Sequence, residues 1–393
     1  MDFSSANKIF VTCSKGITAI LEKELLDLGF PIHQAVKLGI YTSGTLEDTI
    51  RLNLSLRTAM RVHYLLHEFT AQTPDDLYRQ LFRLPWEDII DENGYVSVTS
   101  SVKNDSISDS RFVNLKCKDA IVDRIQSKKG KRPDSGPERS KSVIFLYWKE
   151  NHCAVFIDTS GEPLSRRGYR KMPFKAPLQE TLAAALLLAA NWRGDGHFVN
   201  PMCGSGTLGI EAALIALNKA PGLLCNNFGF MHVKGFDKAV YIDARKSLRS
   251  KIRKQSDFLF ILSDIDGAAI KAAQQNARTA GVDHLIEFQR CNYADTRVPE
   301  GSGHVMVNPG YGMRLQNTES LERVYSGLGD FFKQKCQGYM GYIFTGNLAL
   351  AKKVGLKTSR RLIFYNAKIE ARLLEYELYS GSRTQMHERE KEY

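Results

Sequence analysis

Apolar positions in the first half of the chain recur with two different spacings. Ile9-Phe-Val-Thr12 is a short β-prone run closed by Lys15-Gly16. Ile17, Ile20, Leu21, Leu25 and Leu28 then fall on one face of a helix that Gly29 ends. Short strands and helices continue to about Val62. Pro74-Asp-Asp-Leu-Tyr opens another helix, and Tyr95-Val-Ser-Val-Thr alternates as a strand does. Phe112, Leu115, Ala120, Ile121, Val122 and Ile125 occupy helical positions between Arg111 and Ile125. Val143-Ile-Phe-Leu-Tyr-Trp148 and Ala154-Val-Phe-Ile-Asp158 predict a hairpin around Asn151-His152. This half is α+β.

A connector rich in proline, glycine and arginine, 161–177, marks a change of character. Beyond it apolar strands alternate with helices, the signature of a parallel sheet with crossover helices. Strands are expected at His197–Val199, Phe258–Ser263, Ile286–Gln289, His304–Val307 and Tyr339–Phe344. Helices are expected at Gly206–Leu217, Ala268–Ala280, Glu319–Phe332 and Leu348–Lys353. Arg361–Tyr365 and Ala371–Tyr379 predict a closing hairpin. The pattern divides the chain into 1–64, 65–160, 161–177 and 178–393.

Composition narrows the class. With 393 residues, 43% hydrophobic and 25% charged, the chain can bury a sizeable core and is long enough for two or three domains. Its seven cysteines (Cys13, Cys117, Cys153, Cys203, Cys225, Cys291 and Cys336) are scattered and form no C-x-x-C pair. That spacing argues against a disulfide framework or a zinc site and for a reducing compartment. The amino-terminal residues show no signal-peptide pattern. The longest apolar stretch, Leu182–Ala190, falls well short of the roughly 20 residues that cross a bilayer. A cytoplasmic protein with no membrane partner is expected. A net charge of +11 points to a polyanionic partner, nucleic acid being the commonest.

Four strand ends carry the candidate chemistry. In Phe198-Val-Asn-Pro-Met-Cys-Gly-Ser-Gly-Thr-Leu-Gly209 a buried strand enters a glycine turn and then opens a helix. Gly204 and Gly206 let a backbone approach a ligand, and the helix amino terminus favours an anionic group. Gly204, Gly206 and Gly209 also satisfy G-x-G-x-x-G, so a dinucleotide cofactor stays open here. The second strand end is Phe260-Ile-Leu-Ser-Asp-Ile-Asp-Gly267. Asp264 is placed to accept hydrogen bonds from ribose hydroxyls, and Asp266 to cap the next helix. An acid in a dinucleotide fold follows its glycines by about 20 residues. Here the segment from Pro221 to Asp257 intervenes, which weighs against nicotinamide. Asp295, in a turn after the third strand, can accept from an adenine amine.

The end of the fourth strand, His304-Val-Met-Val-Asn-Pro-Gly-Tyr-Gly312, points to the reaction. An exocyclic amine on a base has its lone pair delocalised into the ring and is a poor nucleophile. The Asn308 side-chain oxygen and the Pro309 carbonyl can each accept one of its hydrogens, which localises the lone pair and aims it. Tyr311 would stack on the base. A plain turn after a strand fits the composition equally well, but ligands gather at the carboxyl ends of strands in such sheets.

Basic residues gather in three places. Arg111, Lys116, Lys118, Arg124, Lys128, Lys129, Lys131 and Arg132 crowd the first half, Arg166, Arg167, Arg170 and Lys171 line the connector, and 245–254 carries a third cluster. Charge runs are ordinarily solvated faces. Three of them with no comparable acidic run favour a phosphate-tracking surface. Arg111, Lys116, Lys128, Lys129, Arg166, Arg167 and Arg170 are the expected contacts.

Over nearly its full length the chain resembles the THUMP-domain methyltransferases that act on large-subunit ribosomal RNA at guanine N2, a group often labelled N6-adenine-specific DNA methylases. The matching stretches run in the same order. They are Arg111-Phe-Val-Asn-Leu-Lys-Cys-Lys-Asp-Ala-Ile-Val122, Leu164-Ser-Arg-Arg-Gly-Tyr-Arg170, Ala176-Pro-Leu-Gln-Glu-Thr181, Pro201-Met-Cys-Gly-Ser-Gly-Thr207, Ile210-Glu-Ala-Ala213, Asn308-Pro-Gly-Tyr-Gly312 and Phe344-Thr-Gly-Asn347. The resemblance implies an α/β Rossmann-like methyltransferase domain with a mostly parallel sheet and a C-terminal antiparallel hairpin. An α+β ferredoxin-like and THUMP RNA-binding region precedes it. It also implies S-adenosylmethionine as cofactor, no metal, and large-subunit ribosomal RNA as partner. Glu180, Thr181, Asn200, Met202, Gly204, Gly206, Asp264, Asp295 and Asn308 would then surround the cofactor, with Asn308, Pro309 and Tyr311 at the target base. Two positions depart from the family, which usually has aspartate at Asn200 and proline at Gly310. Asn200 keeps an acceptor for the cofactor's ammonium without the charge. Gly310 frees the loop by roughly 1 kcal/mol. Adenine N6 transfer and a non-catalytic RNA-binding role are the rival readings.

Overall fold

The computed structural model describes residues 3–104, 109–172, 177–310 and 318–379. The chain forms two compact units, and neither is continuous in sequence.

The first unit takes Met1–Ser14, Thr18–Arg167 and Ala220–Ser250. Its elements are β1 (Asn7–Cys13), α1 (Thr18–Asp27), β2 (Gln34–Val36), β3 (Gly39–Gly44), α2 (Asp48–Ser55), β4 (Ala59–Thr70), α3 (Pro74–Arg83), β5 (Tyr95–Lys103), α4 (Ser110–Lys129), β6 (Asp134–Ser135), β7 (Ser142–Lys149) and β8 (His152–Asp158). Thr73 and Asp76 close a capping box around Pro74 at the start of α3. Asp109 caps α4, and Gly130 at φ 72° ends it in the left-handed region that only glycine enters freely. Val113, Cys117, Ala120, Ile121 and Ile125 line the buried face of α4. All eight strands share one sheet in the order β2-β3-β1-β4-β8-β7-β5-β6. The boundary expected at residue 64/65 therefore falls inside β4. That long strand pairs with β1 through its first half and with β8 through its second.

The segment Ala220–Ser250 lies within the 178–393 stretch but groups with the first unit. It packs in the first unit. A Cβ at Gly222 would strike the backbone of Leu54, and one at Gly229 the carbonyl of Asp158. Its helix α7 (Lys238–Ser250) carries Arg245, which is buried and donates to the carbonyls of Leu223 and Cys225 and to the Tyr241 hydroxyl. Arg245 is thus a structural cation and leaves the third basic cluster.

The second unit contains α5 (Glu180–Ala189), β9 (His197–Pro201), α6 (Thr207–Ala216), β10 (Phe260–Asp264), α8 (Gly267–Ala280), β11 (Ile286–Arg290), β12 (Gly303–Val307), α9 (Thr318–Lys335), β13 (Tyr339–Thr345), α10 (Leu348–Lys352), β14 (Arg360–Asn366) and β15 (Ile369–Glu377). The sheet order is β11-β10-β9-β12-β13-β15-β14, parallel through β13 and antiparallel at β15. The chain leaves β9 toward β10 on one side and returns to β12 on the other. A switch of this kind opens a crevice beyond the carboxyl ends of the strands. A dinucleotide sheet runs 3-2-1-4-5-6. Here β15 intrudes between β13 and β14. Val199, Ile261, Val305, Val307, Tyr325 and Phe332 form the core under that crevice. Gly209 seats α6 on the sheet, because a Cβ there would enter the Leu262 side chain. Helix α5 has no counterpart in the periodicity, since Ala and Leu bury nearly its whole circumference and leave no polar stripe.

Candidate active site

The crevice between β9 and β12 is built from two asparagines. Asn200, next to last in β9, is 1% exposed. Its amide nitrogen donates to the Met306 carbonyl of β12 at 2.8 Å. That bond fixes which way the amide points, and it leaves Oδ1 buried with no hydrogen-bond partner. Asn308, just past the end of β12, also has a buried Oδ1 without a partner. Buried acceptors left unmet cost about 1–3 kcal/mol each. Two of them at one switch point are the mark of a site waiting for donors. An aspartate at position 200 would have no hydrogen to give Met306, which is a local reason for the amide in this chain.

After β9 the backbone is forced. Met202 stands at φ 56°, Gly204 at 54° and Gly206 at 82°. A Cβ on Gly204 would meet nothing within 4 Å, so space stays open over the turn. Gly206 is different. Its Cβ would lie 2.9 Å from the Cβ of Ala273 on α8. The glycine there serves helix packing and its own φ, not close approach to a ligand alone. The Asp264 carboxylate accepts from Gly204 N at 2.9 Å and from Asp266 N at 2.9 Å. It ties the end of β10 to the glycine turn and keeps lone pairs for a further donor. Asp266 caps α8 through Ala268 N. Between these two acids Ile265 is 67% exposed, an apolar side chain at the mouth of the crevice.

Three residues brace this turn that sequence reasoning left out or misplaced. Arg170 donates to the Leu178 carbonyl at 2.6 Å and the Thr207 hydroxyl at 3.2 Å, and it pairs with Glu180 at 3.3 Å. Asn276 of α8 is fully buried. Its oxygen accepts from Lys171 N and Met172 N, and its nitrogen donates to the carbonyls of Met172 and Ser205. It clamps the connector to the glycine turn. Tyr169 reaches the buried Glu211 of α6 at 3.0 Å.

The remaining expected residues scatter. Glu180 and Thr181 open α5 and are both buried. Asp295 lies exposed in a 3-10 turn after β11. Pro309 is buried and Gly310 exposed, while Tyr311 lies outside the described residues. Burial holds the Cys203 thiol well above its usual value, so it is a packing group rather than a nucleophile. Of the basic residues, Lys128 and Lys129 are exposed at the end of α4. Arg111 is exposed but bound to Asp109, Lys116 pairs with Asp75, and Arg166 pairs with Glu162. Arg167 and Arg170 are corrections. Arg167 is 1% exposed and donates to the Arg57 carbonyl, and Arg170 is committed to the turn just described. Neither is available to a phosphate. No group of three or more metal-ligating side chains occurs among the described residues, and no described helix is long and apolar enough to cross a membrane.

Comparison with known proteins agrees with this architecture. Residues 167–375 match the family described as RMKL-like, methyltransferase domain. Residues 8–63 match the RlmL ferredoxin-like domain, and residues 71–158 the THUMP domain. Ribosomal RNA large subunit methyltransferase K/L of Syntrophotalea carbinolica is 37% identical over 384 residues, covering 94% of this chain and 53% of that protein. The chain spans about half the length of such K/L relatives. slr0064 of Synechocystis, named as an inferred RNA methyltransferase, is 34% identical over 94% of this chain and 96% of its own. Among solved structures, SMU.472 complexed with SAH superimposes with a TM-score of 0.87 at 28% identity, over 97% of this chain and 100% of that one. A protein of Listeria monocytogenes described as a predicted N6-adenine-specific DNA methylase gives 0.84 at 31% identity, over 95% and 97%. With the glycine turn, the paired asparagines and all three matched domains in one order, the chain belongs to the RMKL-like methyltransferase family.

Proposed function

We propose that the chain transfers a methyl group from S-adenosylmethionine to the exocyclic amine of a base in large-subunit ribosomal RNA, with guanine N2 the preferred target. The observation that carries this reading is the pair of buried, unpartnered amide oxygens on Asn200 and Asn308. They suit two different donors. Asn200 Oδ1 accepts from the cofactor's ammonium, and Asn308 Oδ1 from the target amine. When bound, the cofactor supplies an electrophilic methyl on its sulfonium.

The protein's own residues do the rest. Asp264 takes ribose hydroxyls with its remaining lone pairs, and Ile265 and Asp295 offer the adenine an apolar surface and an acceptor. The turn at Gly204 and the amino terminus of α6 receive the carboxylate. Met202, Glu180, Thr181 and Gly206 shape the turn and the helix beside it. Asn308 and the Pro309 carbonyl withdraw the amine's hydrogens from conjugation and orient its lone pair, and Tyr311 stacks on the base. Exposed Lys128 and Lys129 hold RNA phosphates.

Single-turnover methyl transfer on ribosomal RNA tests the assignment. With cofactor saturating, Asn308→Ala should slow transfer on the order of a hundredfold or more, well beyond any loss of cofactor affinity. Equal rates in parent and variant would overturn the mechanism. Because Asn308 and the Pro309 carbonyl would accept the hydrogens of an adenine amine equally well, mass spectrometry of the methylated nucleosides decides between guanine N2 and adenine N6. If the parent transfers nothing and Gly310→Pro does, the chain is an RNA binder whose loop has lost the reactive geometry.

A further inference from the structure

The eight-stranded sheet has two unlike faces. Ile9, Val11 and Cys13 of β1 are buried, and Lys8, Phe10 and Thr12 between them are half-exposed. The register carries this second face across the sheet. Phe10 stands opposite Tyr41 of β3 and His63 of β4, and Phe145 of β7 stands opposite Phe156 of β8. The rings touch. Phe10 stacks on Tyr41 with centroids 4.5 Å apart, and His63 stacks on Phe145 at 4.5 Å. Tyr147 packs beside Phe156 in the same cluster.

The face is concave. In a flat sheet β3 and β7, four places apart, would stand about 19 Å from each other. Tyr41 and Tyr147 nevertheless line one hollow of about 570 Å³, together with Lys8, Gln34, His152 and Phe156. That volume is within the range of small-molecule sites, roughly 300–1,000 Å³. Lysines border the hollow. Lys149, whose ammonium lies 4.0 Å from the Glu150 carboxylate, is two residues along β7 from Tyr147, with Lys103 beside it on β5. Glu68, the acid in the hollow's lining, is paired with Lys8 at 2.7 Å.

Half-exposed rings on an open sheet, within a cationic border, match one ligand chemistry. Unpaired bases stack on aromatic side chains while lysines follow the phosphates. A duplex keeps its bases inside the stack and cannot offer them. We propose that this concave face is a stacking platform for unpaired nucleotides of an RNA strand, with Tyr41 and Tyr147 taking bases and Lys103 and Lys149 the flanking phosphates. The proposal rests on the RNA reading above and adds to it a site distinct from the end of α4.

Fluorescence anisotropy of the full chain with a short single-stranded RNA and a duplex of equal length tests it. Tyr41→Ala and Tyr147→Ala should each weaken single-strand binding roughly five- to a hundredfold. Duplex affinity should hold, and Tyr41→Phe and Tyr147→Phe should bind as the parent does. Removing Lys128 and Lys129 should instead make the salt slope shallower by about 0.7–0.9 for every phosphate no longer neutralised, an effect the tyrosine variants should not show. Tyrosine-to-alanine variants that bind single strands like the parent, or that lose duplex equally, overturn the platform and leave the RNA reading intact. A parent that binds no RNA overturns both. Cross-linking of 4-thiouridine RNA to the unaltered protein guards against misfolded variants. Adducts should fall on peptides carrying Phe10, Tyr41 or Tyr147, and adducts found only elsewhere refute the proposal.

Discussion

Glycine at 204 and glycine at 206 look interchangeable in the motif, yet the chain uses them for different ends. Both take left-handed φ values, which cost a side-chain-bearing residue roughly 1–2 kcal/mol. Gly206 adds a collision with Ala273, whereas Gly204 faces open space. Gly206→Ala should therefore lower the melting temperature more than Gly204→Ala, and Gly204→Ala should be the cleaner probe of cofactor affinity. Differential scanning fluorimetry with calorimetric titration separates the two; matching melting temperatures would contradict the packing argument. The same scale shows what a sequence can reveal. Asn308 stood out in the sequence as the end of a strand before proline, whereas Asn200 came into view only through the family resemblance. Asn276 did neither, since its bonds to Lys171 and Met172 span more than a hundred residues and leave no local pattern. Arg167 and Arg170 misled, because a charge in a basic run carries no sign of whether it faces water or a buried carbonyl.

Individual elements divide along similar lines. Strands β9 to β13 and helices α6 and α8 were legible from alternation, glycine turns and caps. Helix α5 escaped because a helix buried all round has no stripe to detect. The first unit's sheet carries a titration of its own. His63 lies buried in the aromatic stack, and burial pushes its imidazole down to about 4, with Arg61 adding to the shift and Asp158 opposing it. An unfolded histidine titrates near 6.5. Between those values the unfolded chain binds a proton that the folded chain refuses, so this contribution is complete above about 6.5 and is lost as pH falls toward 4. His63→Phe keeps a ring in the stack and removes the proton. Urea unfolding at about pH 7 and about pH 5 should show the parent losing more stability than the variant. Equal losses would mean that His63 is not held neutral.

At the scale of the whole chain, the distance between the glycine turn and Asp264 was plain, but its meaning was not. Sequence alone reads Pro221–Asp257 as an insertion in a nucleotide-binding sheet. The structure gives Ala220–Ser250 to the other unit. Its two ends are already joined, since Arg253 N donates to the Leu217 carbonyl at 2.9 Å and the Asn218 amide to the Lys251 carbonyl at 3.3 Å. A short Gly-Ser bridge from Lys219 to Lys251 should therefore leave cofactor binding near the parent level. The first unit should melt earlier, having lost the segment that packs on Leu54 and Asp158. Calorimetry resolves the two transitions; loss of cofactor affinity with an unchanged first transition would reverse the assignment.

The divided first unit also sets an order of events during synthesis. When Arg167 leaves the ribosome, the eight-stranded sheet is complete but the segment that seals it is still unmade. At about 5–20 residues per second, the wait for Ser250 lasts several seconds. Through that interval the seam around Leu54 and Asp158 stays open, a window in which a nascent-chain chaperone competes with the protein's own later helix.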